Sequence, residues 1–470
     1  MPASHPGRLR FVIFTSFAPA GPPGANWSHP ANRDFNYLDV EDWIKLAQAA
    51  ERAKCDAIFW ADHSGVHDTY RNSWTTSVRE AVQFPLGDPL LLTAALASAT
   101  TELGFAFSAN IIQDHPYAFA RRLSTLDHLT KGRIAWNIVT SFQKSAWTNL
   151  GLQQVAAHAA RYERAEEYVT LLYKLLEGSW EDEAVRRDIE QGVYADPERV
   201  HDIHHDGTYF RVNGIHTSEP SPQRTPVLFQ AGTSGTGRAF AARNAEAVFM
   251  ANHNAQGARA VVDDFASRVT RNGREHSDLL FFEHMSFVIG STEEEAKRKD
   301  AENQEMLSTE TMMAFQSSTM GADLGSIDLD APVGDFRTEG IQGQFKALAD
   351  AAPDKTWTFR DVMLYLTNNR FVGTPEQLAD ELEIWRDAGV NGINVTHLAG
   401  TDEIYSFLEH AMPVLQERGL AQKDYAPGTL REKFFAGTPG FSGARISDRH
   451  PASGYRPNAS RRSRTSESRN

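Results

Sequence analysis

Cysteine is nearly absent: Cys55 is the only one in 470 residues, so neither an intramolecular disulfide nor a Cys-rich zinc site can form. A reducing cytoplasm is the expected setting. Positive charge is also in short supply. With 47 Lys and Arg against 61 Asp and Glu, the net charge of −14 argues against nucleic acid or an anionic membrane as a partner, because both are recruited by clustered basic residues. The longest apolar stretch, residues 90–99, falls well short of the ~20 residues a membrane-spanning helix needs. Arg8 and Arg10 precede Phe11-Val12-Ile13-Phe14, but that apolar core is too short for a secretion signal and is expected to be a first strand. Two signatures are missing as well: the HExxH of many zinc hydrolases, and the Gly-rich dinucleotide fingerprint after the first strand.

What is present suits an ordinary globular core, with 41% hydrophobic and 23% charged residues. Short apolar runs alternate with longer helical patterns, the mark of repeated βα units around a parallel sheet. Eight runs qualify as strands: residues 9–14, 57–61, 103–107, 134–139, 227–230, 247–250, 282–289 and 392–395. Eight strands interleaved with helices favour an α/β fold of the closed (β/α)8 TIM-barrel type, in one domain over residues 1–441. Thr374-Pro375-Glu376-Gln377 offers an N-cap, a first-turn proline and a capping-box glutamine, which predicts a helix over 375–388.

Residues 179–225 and 291–370 are too long for simple loops and read as insertions. The second opens with a capped, charged helix (Ser291-Thr292-Glu293-Glu294-Glu295) and continues through several glycines, so residues 301–370 are expected to form a lid. Residues 442–470 turn to Ser, Arg, Pro and Gly with seven arginines, and are expected to be a disordered basic tail.

In such a barrel the working groups stand at the C-terminal ends of the strands. Asp62, Ser108, Asn110 and Asn137 occupy those positions, and their carboxylate, hydroxyl and amide groups suit the edge of a ring that carries both donors and acceptors. Phe229-Gln230-Ala231-Gly232-Thr233-Ser234-Gly235-Thr236-Gly237-Arg238 is a strand entering a Gly-rich turn that opens a helix, where a phosphate could be held by backbone N–H groups, Ser234 and Arg238. His158 and Tyr162, four apart on a strongly patterned helix, could add phosphate donors. Phe14, Trp60 and Phe249, near strand ends, are candidates for a dry wall lining the substrate. Two histidine groups, Asp62-His63 with His67-Asp68 and His201 with His204-His205, invite a metal reading, but the second lies in an insertion and no metal is expected.

At these residues the sequence resembles the bacterial luciferase-like flavin monooxygenases, in the branch of nitrilotriacetate and dibenzothiophene-sulfone monooxygenases. The matching pieces are Arg133-Ile134-Ala135-Trp136-Asn137-Ile138-Val139-Thr140-Ser141, Ala160-Arg161-Tyr162-Glu163-Arg164-Ala165-Glu166-Glu167, Phe229-Gln230-Ala231-Gly232-Thr233-Ser234 and Pro413-Val414-Leu415-Gln416-Glu417-Arg418-Gly419. The resemblance runs in order from about Phe11 to Arg431. It implies a (β/α)8 barrel whose flavin contacts are Asp62, Ser108, Asn137, His158, Tyr162 and Ser234. It also implies an enzyme that takes reduced FMN from a partner NAD(P)H-dependent flavin reductase and uses O2 to oxidise a small organic substrate through a flavin hydroperoxide. A homo-oligomer is expected. The Pro- and Gly-rich segment 18–24 departs from the branch and leaves the substrate open. The alternatives are a deazaflavin-dependent oxidoreductase of the same superfamily and a metal-dependent barrel hydrolase.

Overall fold

The computed structural model describes residues 7–21, 27–32, 35–232, 234–333, 355–359, 361, 370–438, 441 and 443–457. Its strands in chain order are β1 (Arg10–Thr15), β2 (Ala57–Trp60), β3 (Gly104–Asn110), β4 (Ile134–Val139), β5 (Val185–Asp188), β6 (Val193–Ala195), β7 (Ile203–Asp206), β8 (Arg211–Gly214), β9 (Val227–Gln230), β10 (Ala247–Met250), β11 (Leu280–Ile289), β12 (Arg370–Gly373) and β13 (Gly392–Thr396). Eight of them pair in parallel in the order β10-β9-β4-β3-β2-β1-β13-β11, and β10 pairs with β11 to close the ring. These are the eight strands the sequence announces, so the fold is a closed eight-stranded parallel barrel of the TIM type.

β12 is the ninth member of the sheet and was not foreseen. β11 is ten residues long; its Phe282–Ser286 stretch pairs with β13, and Ser286–Ile289 runs on beyond the barrel to pair with β12. β3 is also longer than its apolar run suggests, because Ser108 and Asn110 keep the ladder with β4 going while their side chains turn inward.

The barrel strands carry two apolar faces. Val12, Phe59, Ala106, Ala135, Phe229, Ala247, Leu280 and Phe282 fill the interior, whereas Ile13, Ile58, Trp60, Phe105, Val248, Phe281 and Ile393 pack outward against the helices. The N-terminal end is plugged by the short helix Leu430–Phe434, whose Leu430 and Phe434 join the interior cluster. Arg431 on that helix forms a fully buried ion pair with Glu246 (2.7 Å), and Arg10 of β1 donates to the carbonyl of Phe434 (2.9 Å). With that end sealed, the C-terminal ends of the strands form the mouth.

The helix Pro375–Asp387 begins on Thr374 with a reciprocal capping box, as its sequence predicts. The first insertion holds two antiparallel hairpins, β5–β6 and β7–β8. The second begins with helices Glu293–Glu305 and Thr309–Met320; residues 334–354, 360 and 362–369 of the expected lid lie outside the described residues.

The C-terminal expectation needs correction. Residues 443–457 are ordered and strapped to the barrel's outer helices: Arg445 and Arg456 converge on buried Glu177 (2.6 and 2.9 Å), Arg449 grips buried Asp278 (2.5 Å), and the His450 ring donates to the Asn244 carbonyl (2.8 Å). Three of the seven arginines that suggested a solvated tail, Arg445, Arg449 and Arg456, are partners for buried carboxylates. Residues 458–470 lie outside the described residues.

Candidate active site

The interior of the mouth is floored with aromatic rings. Phe14 stacks on Phe59 (centroids 5.0 Å apart), Phe249 meets Phe59 (4.8 Å) and Phe229 (4.9 Å), and Phe282 meets Phe229 (5.3 Å). His284, one turn of the pleat beyond Phe282 on β11, sets its ring edge-on to Phe14 (4.8 Å). Burial holds this imidazole down to about 4, so it is neutral.

Phe14 and Phe249 belong to this aromatic floor. Trp60 does not. It occupies the other face of β2, fully buried in the outer layer against Trp43 (6.1 Å) and Phe105 (6.1 Å). The two-residue period was the available signal: Ala57, Phe59 and Ala61 share the inward face, so Phe59 is the wall residue and its neighbour cannot be. Phe59, Phe229 and Phe282 went unnoticed because each sits in a largely apolar strand, where only strand parity separates inside from outside; His284, a polar residue beside Glu283, was missed as well.

Above this floor, Ser108 and Asn137 are register partners on β3 and β4, and the Asn137 amide donates to the Ser108 hydroxyl (2.9 Å). Asn110, at the end of β3, donates to Ser64 (2.6 Å) and so ties down the loop that carries Asp62. Burial, with Asp88 adding to it, pushes the Asp62 carboxyl up to about 7. His63 next to it is held down to about 3 by burial, with His67 reinforcing; its Nδ1 donates to the Gly65 carbonyl (2.9 Å). His67 lies between Gln83 (3.1 Å) and Gln143 (3.3 Å). His67 has both ring nitrogens engaged and His63 its Nδ1, and among the described residues no group of three or more His, Cys, Asp or Glu could hold a metal ion.

A second cluster forms where β9 enters the helix Gly235–Asn244. Ser234 caps that helix, its oxygen accepting from Gly237 N–H (3.0 Å) and lying 3.2 Å from His158 Nε2. The His158 and Tyr162 rings are 5.1 Å apart, and Gln230 donates to the Tyr162 hydroxyl (3.4 Å). Glycine is required here by close approach: a Cβ on Gly232 or Gly237 would come within 2.8 or 2.7 Å of that hydroxyl. Thr233 lies outside the described residues. Arg238, also expected to face a phosphate, is engaged by Asp264 (2.9 Å).

The six residues named from the sequence thus gather on one side of the mouth. Asp62 follows β2, Ser108 is on β3, Asn137 on β4, Ser234 follows β9, and these strands are consecutive neighbours in the barrel; His158 and Tyr162 come from the helix His158–Tyr173, which packs beside the Ser234 turn.

Comparison with known proteins bears on this arrangement directly. The luciferase-like monooxygenase family matches residues 9–392. The chain belongs to that family. The dimethyl-sulfide monooxygenase of Hyphomicrobium sulfonivorans is 40% identical over 435 residues, covering 92% of this chain and 90% of its own. The long-chain alkane monooxygenase of Geobacillus thermodenitrificans is 42% identical over 431 residues, covering 92% and 94%. A crystal structure of riboflavin lyase with modified FMN and riboflavin superposes with a TM-score of 0.86 at 34% identity, covering 96% of this chain and 99% of that one. The nitrilotriacetate and dibenzothiophene-sulfone enzymes, whose branch the sequence resembles, match at lower identity, 30% and 32%. This luciferase-like chain is accordingly a flavin-dependent monooxygenase.

Proposed function

We propose that this luciferase-like enzyme is the oxygenase component of a two-component system, taking reduced FMN from a separate NAD(P)H-dependent reductase and using O2 to oxidise a small organic molecule. The cytoplasm, where such reductants are generated, is its proposed setting. The observation that carries the reading is the pairing of two half-sites on four consecutive strands: a phosphate cradle and a ring-edge cluster, both above a floor of phenylalanines.

The residues fit FMN on structural grounds. The cradle joins a helix N-terminus, the Ser234 hydroxyl, the His158 ring and the Tyr162 hydroxyl beside glycines that leave no room for a Cβ. At the ring-edge cluster, Asn137 Oδ1 is buried without a hydrogen-bond partner among the described residues, as befits a group awaiting a ligand donor.

Reduced FMN supplies the electrons with which O2 is activated. The rest falls to the chain. Ser234, His158 and Tyr162 anchor the phosphate; Ser108 and Asn137 orient the ring edge. Asp62 retains its proton close to neutrality, and neutral His284 adds no fixed charge to the aromatic floor. Phe14, Phe59 and Phe249 exclude water, which a reactive oxygen intermediate requires. The described part of the second insertion completes the cover: Met313, Ala314, Met320 and Leu324 pack on Tyr70 and Val82, and Phe315 reaches His67 (5.3 Å).

The test is turnover with a generic flavin reductase, NADH and ¹⁸O2 over a substrate panel that includes dimethyl sulfide and long-chain alkanes, the compounds named for two relatives. Label in a product is the expected result. Tight binding of reduced FMN without labelled product from any thioether, alkane, sulfone or aminocarboxylate would overturn the oxygenase role.

A further inference from the structure

Asn137 offers more than a contact to the flavin ring. It stands on the inward face of β4, in register with Ser108 on one side and Phe229 on the other, and is 5% exposed. Its two polar atoms are not equivalent. Nδ2 donates to the Ser108 hydroxyl (2.9 Å), and Oδ1 is left as an acceptor without a partner among the described residues. A second bare acceptor stands beyond the end of β2: His63 has committed its Nδ1–H to the Gly65 carbonyl (2.9 Å), so the neutral ring leaves Nε2 as an unpartnered lone pair. Each of these two acceptors is short of a donor among the described residues, while Asn394 of β13 leaves both Nδ2 and Oδ1 unpartnered.

The two oxidation states of an isoalloxazine answer that shortage differently. Its carbonyl oxygens accept and its N3–H donates in both states. N5 changes sense: in the oxidised ring it presents a lone pair, and on two-electron reduction it gains a hydrogen and becomes a donor. A buried acceptor facing N5 is satisfied by the reduced ring and confronts a second lone pair in the oxidised one, an arrangement that costs most where water cannot intervene.

Resting on the flavin reading above, we propose that Asn137 selects the oxidation state of the cofactor: Oδ1, oriented through Ser108, accepts the N5–H that only reduced flavin carries. Captured reduced flavin is held, and the spent oxidised ring is released because the same oxygen repels it. Asn137 is the discriminating contact, and Ser108 is its positioning residue.

The experiment measures dissociation constants of oxidised and anaerobically reduced riboflavin for the full-length enzyme, with FMN run in parallel. Riboflavin lacks the phosphate, so the cradle does not contribute to its ratio. The wild type should prefer the reduced ring. Asn137→Leu should weaken reduced riboflavin at least tenfold and, with the repelling oxygen gone, bind the oxidised form as tightly as the wild type or more tightly, so the preference collapses. In a titration of bound flavin, each tenfold loss of preference lowers the midpoint potential by about 30 mV. Ser108→Ala, a smaller change to the interior, should erode the same preference by a lesser factor, which keeps the test open if the leucine variant fails to fold.

Equal weakening of both forms would overturn the proposal and assign Oδ1 to N3–H or to packing. Greater weakening of the oxidised form would overturn it too, by turning the amide N–H toward N5. If the wild type bound neither oxidation state of FMN, the flavin reading itself would fall, a result that no comparison of the variants could mimic.

Discussion

Tyr162 and Ser234 owe their proposed roles to position more than to type. Tyr162 is 8% exposed, and burial raises its phenol above the usual range, with Gln230, Ser234 and Thr140 pulling the other way, so the hydroxyl keeps its proton and can donate. Hydrogen bonds to a charged group are worth about 1.5–3 kcal/mol. Tyr162→Phe and Ser234→Ala should each weaken FMN at least tenfold while riboflavin, lacking phosphate, is nearly unaffected; equal losses for both ligands would move these residues away from the phosphate. Asp62 makes a pH prediction. Its folded-state value, raised to about 7, means the folded protein holds a proton that the unfolded chain releases near pH 4. Stability contributed by this group is therefore full below pH 4, declines as pH rises toward 7, and is flat beyond. Asp62→Asn should remove that decline, so thermal melts of variant and wild type should diverge in the variant's favour between pH 5 and 8. A constant offset across that range would place the carboxyl in water. Asp62 was singled out in the sequence because it closes an apolar run, Tyr162 because it stands four residues from His158 on a patterned helix, and Ser234 because it lies in a Gly-rich turn that opens a helix. Phe59 was not, since its neighbour Trp60 is as apolar and only the side of the strand distinguishes them.

At the scale of elements, the barrel strands were readable because each is a short, mainly apolar run covered on both faces and followed by a helical pattern. The pieces that escaped have long-range causes. β12 is four residues long and exists through the overhanging end of β11, while the C-terminal strap is ordered by carboxylates more than 150 residues away in sequence, as with Arg449 and Asp278, 171 apart. Composition alone could not disclose either. The strap predicts its own cost: Arg449→Ala leaves the Asp278 carboxylate buried without its ion pair and should destabilise the fold by about 3 kcal/mol. A melting temperature within a degree of wild type would show the contact to be ornamental. The helix Thr309–Met320 makes a functional prediction. Its Phe315 and Met313 close over His67, Tyr70 and Val82, so Phe315→Ala should loosen the cover without touching the cradle. Flavin affinity should stay within about twofold while the ratio of product to NADH consumed falls and free hydrogen peroxide rises. Unchanged coupling in a folded variant would leave the helix with a structural role only.

For the whole molecule, charge and site pull in opposite directions. The chain carries a net charge of −14, yet its proposed ligand is a dianionic phosphate that must arrive by diffusion from another protein. Beyond a Debye length of ~8–10 Å at physiological salt the approaching FMN experiences little of that field, whereas at low salt the field extends ~30 Å and repels it. The cradle answers with short-range donors, the helix N-terminus, Ser234, Tyr162 and His158; of the nearby guanidiniums, Arg238 is engaged by Asp264 and Arg161 donates to the Ser141 carbonyl. Attraction is therefore local and repulsion global. Association of reduced FMN, followed anaerobically by stopped flow, should accelerate several-fold between ~10 and ~150 mM salt as the long-range term is screened. Reduced riboflavin, which lacks the phosphate, should show a much flatter dependence. The opposite slope for FMN, slower association as salt rises, would mean that a positive field reaches out from the mouth and that the cradle, not the net charge, governs capture.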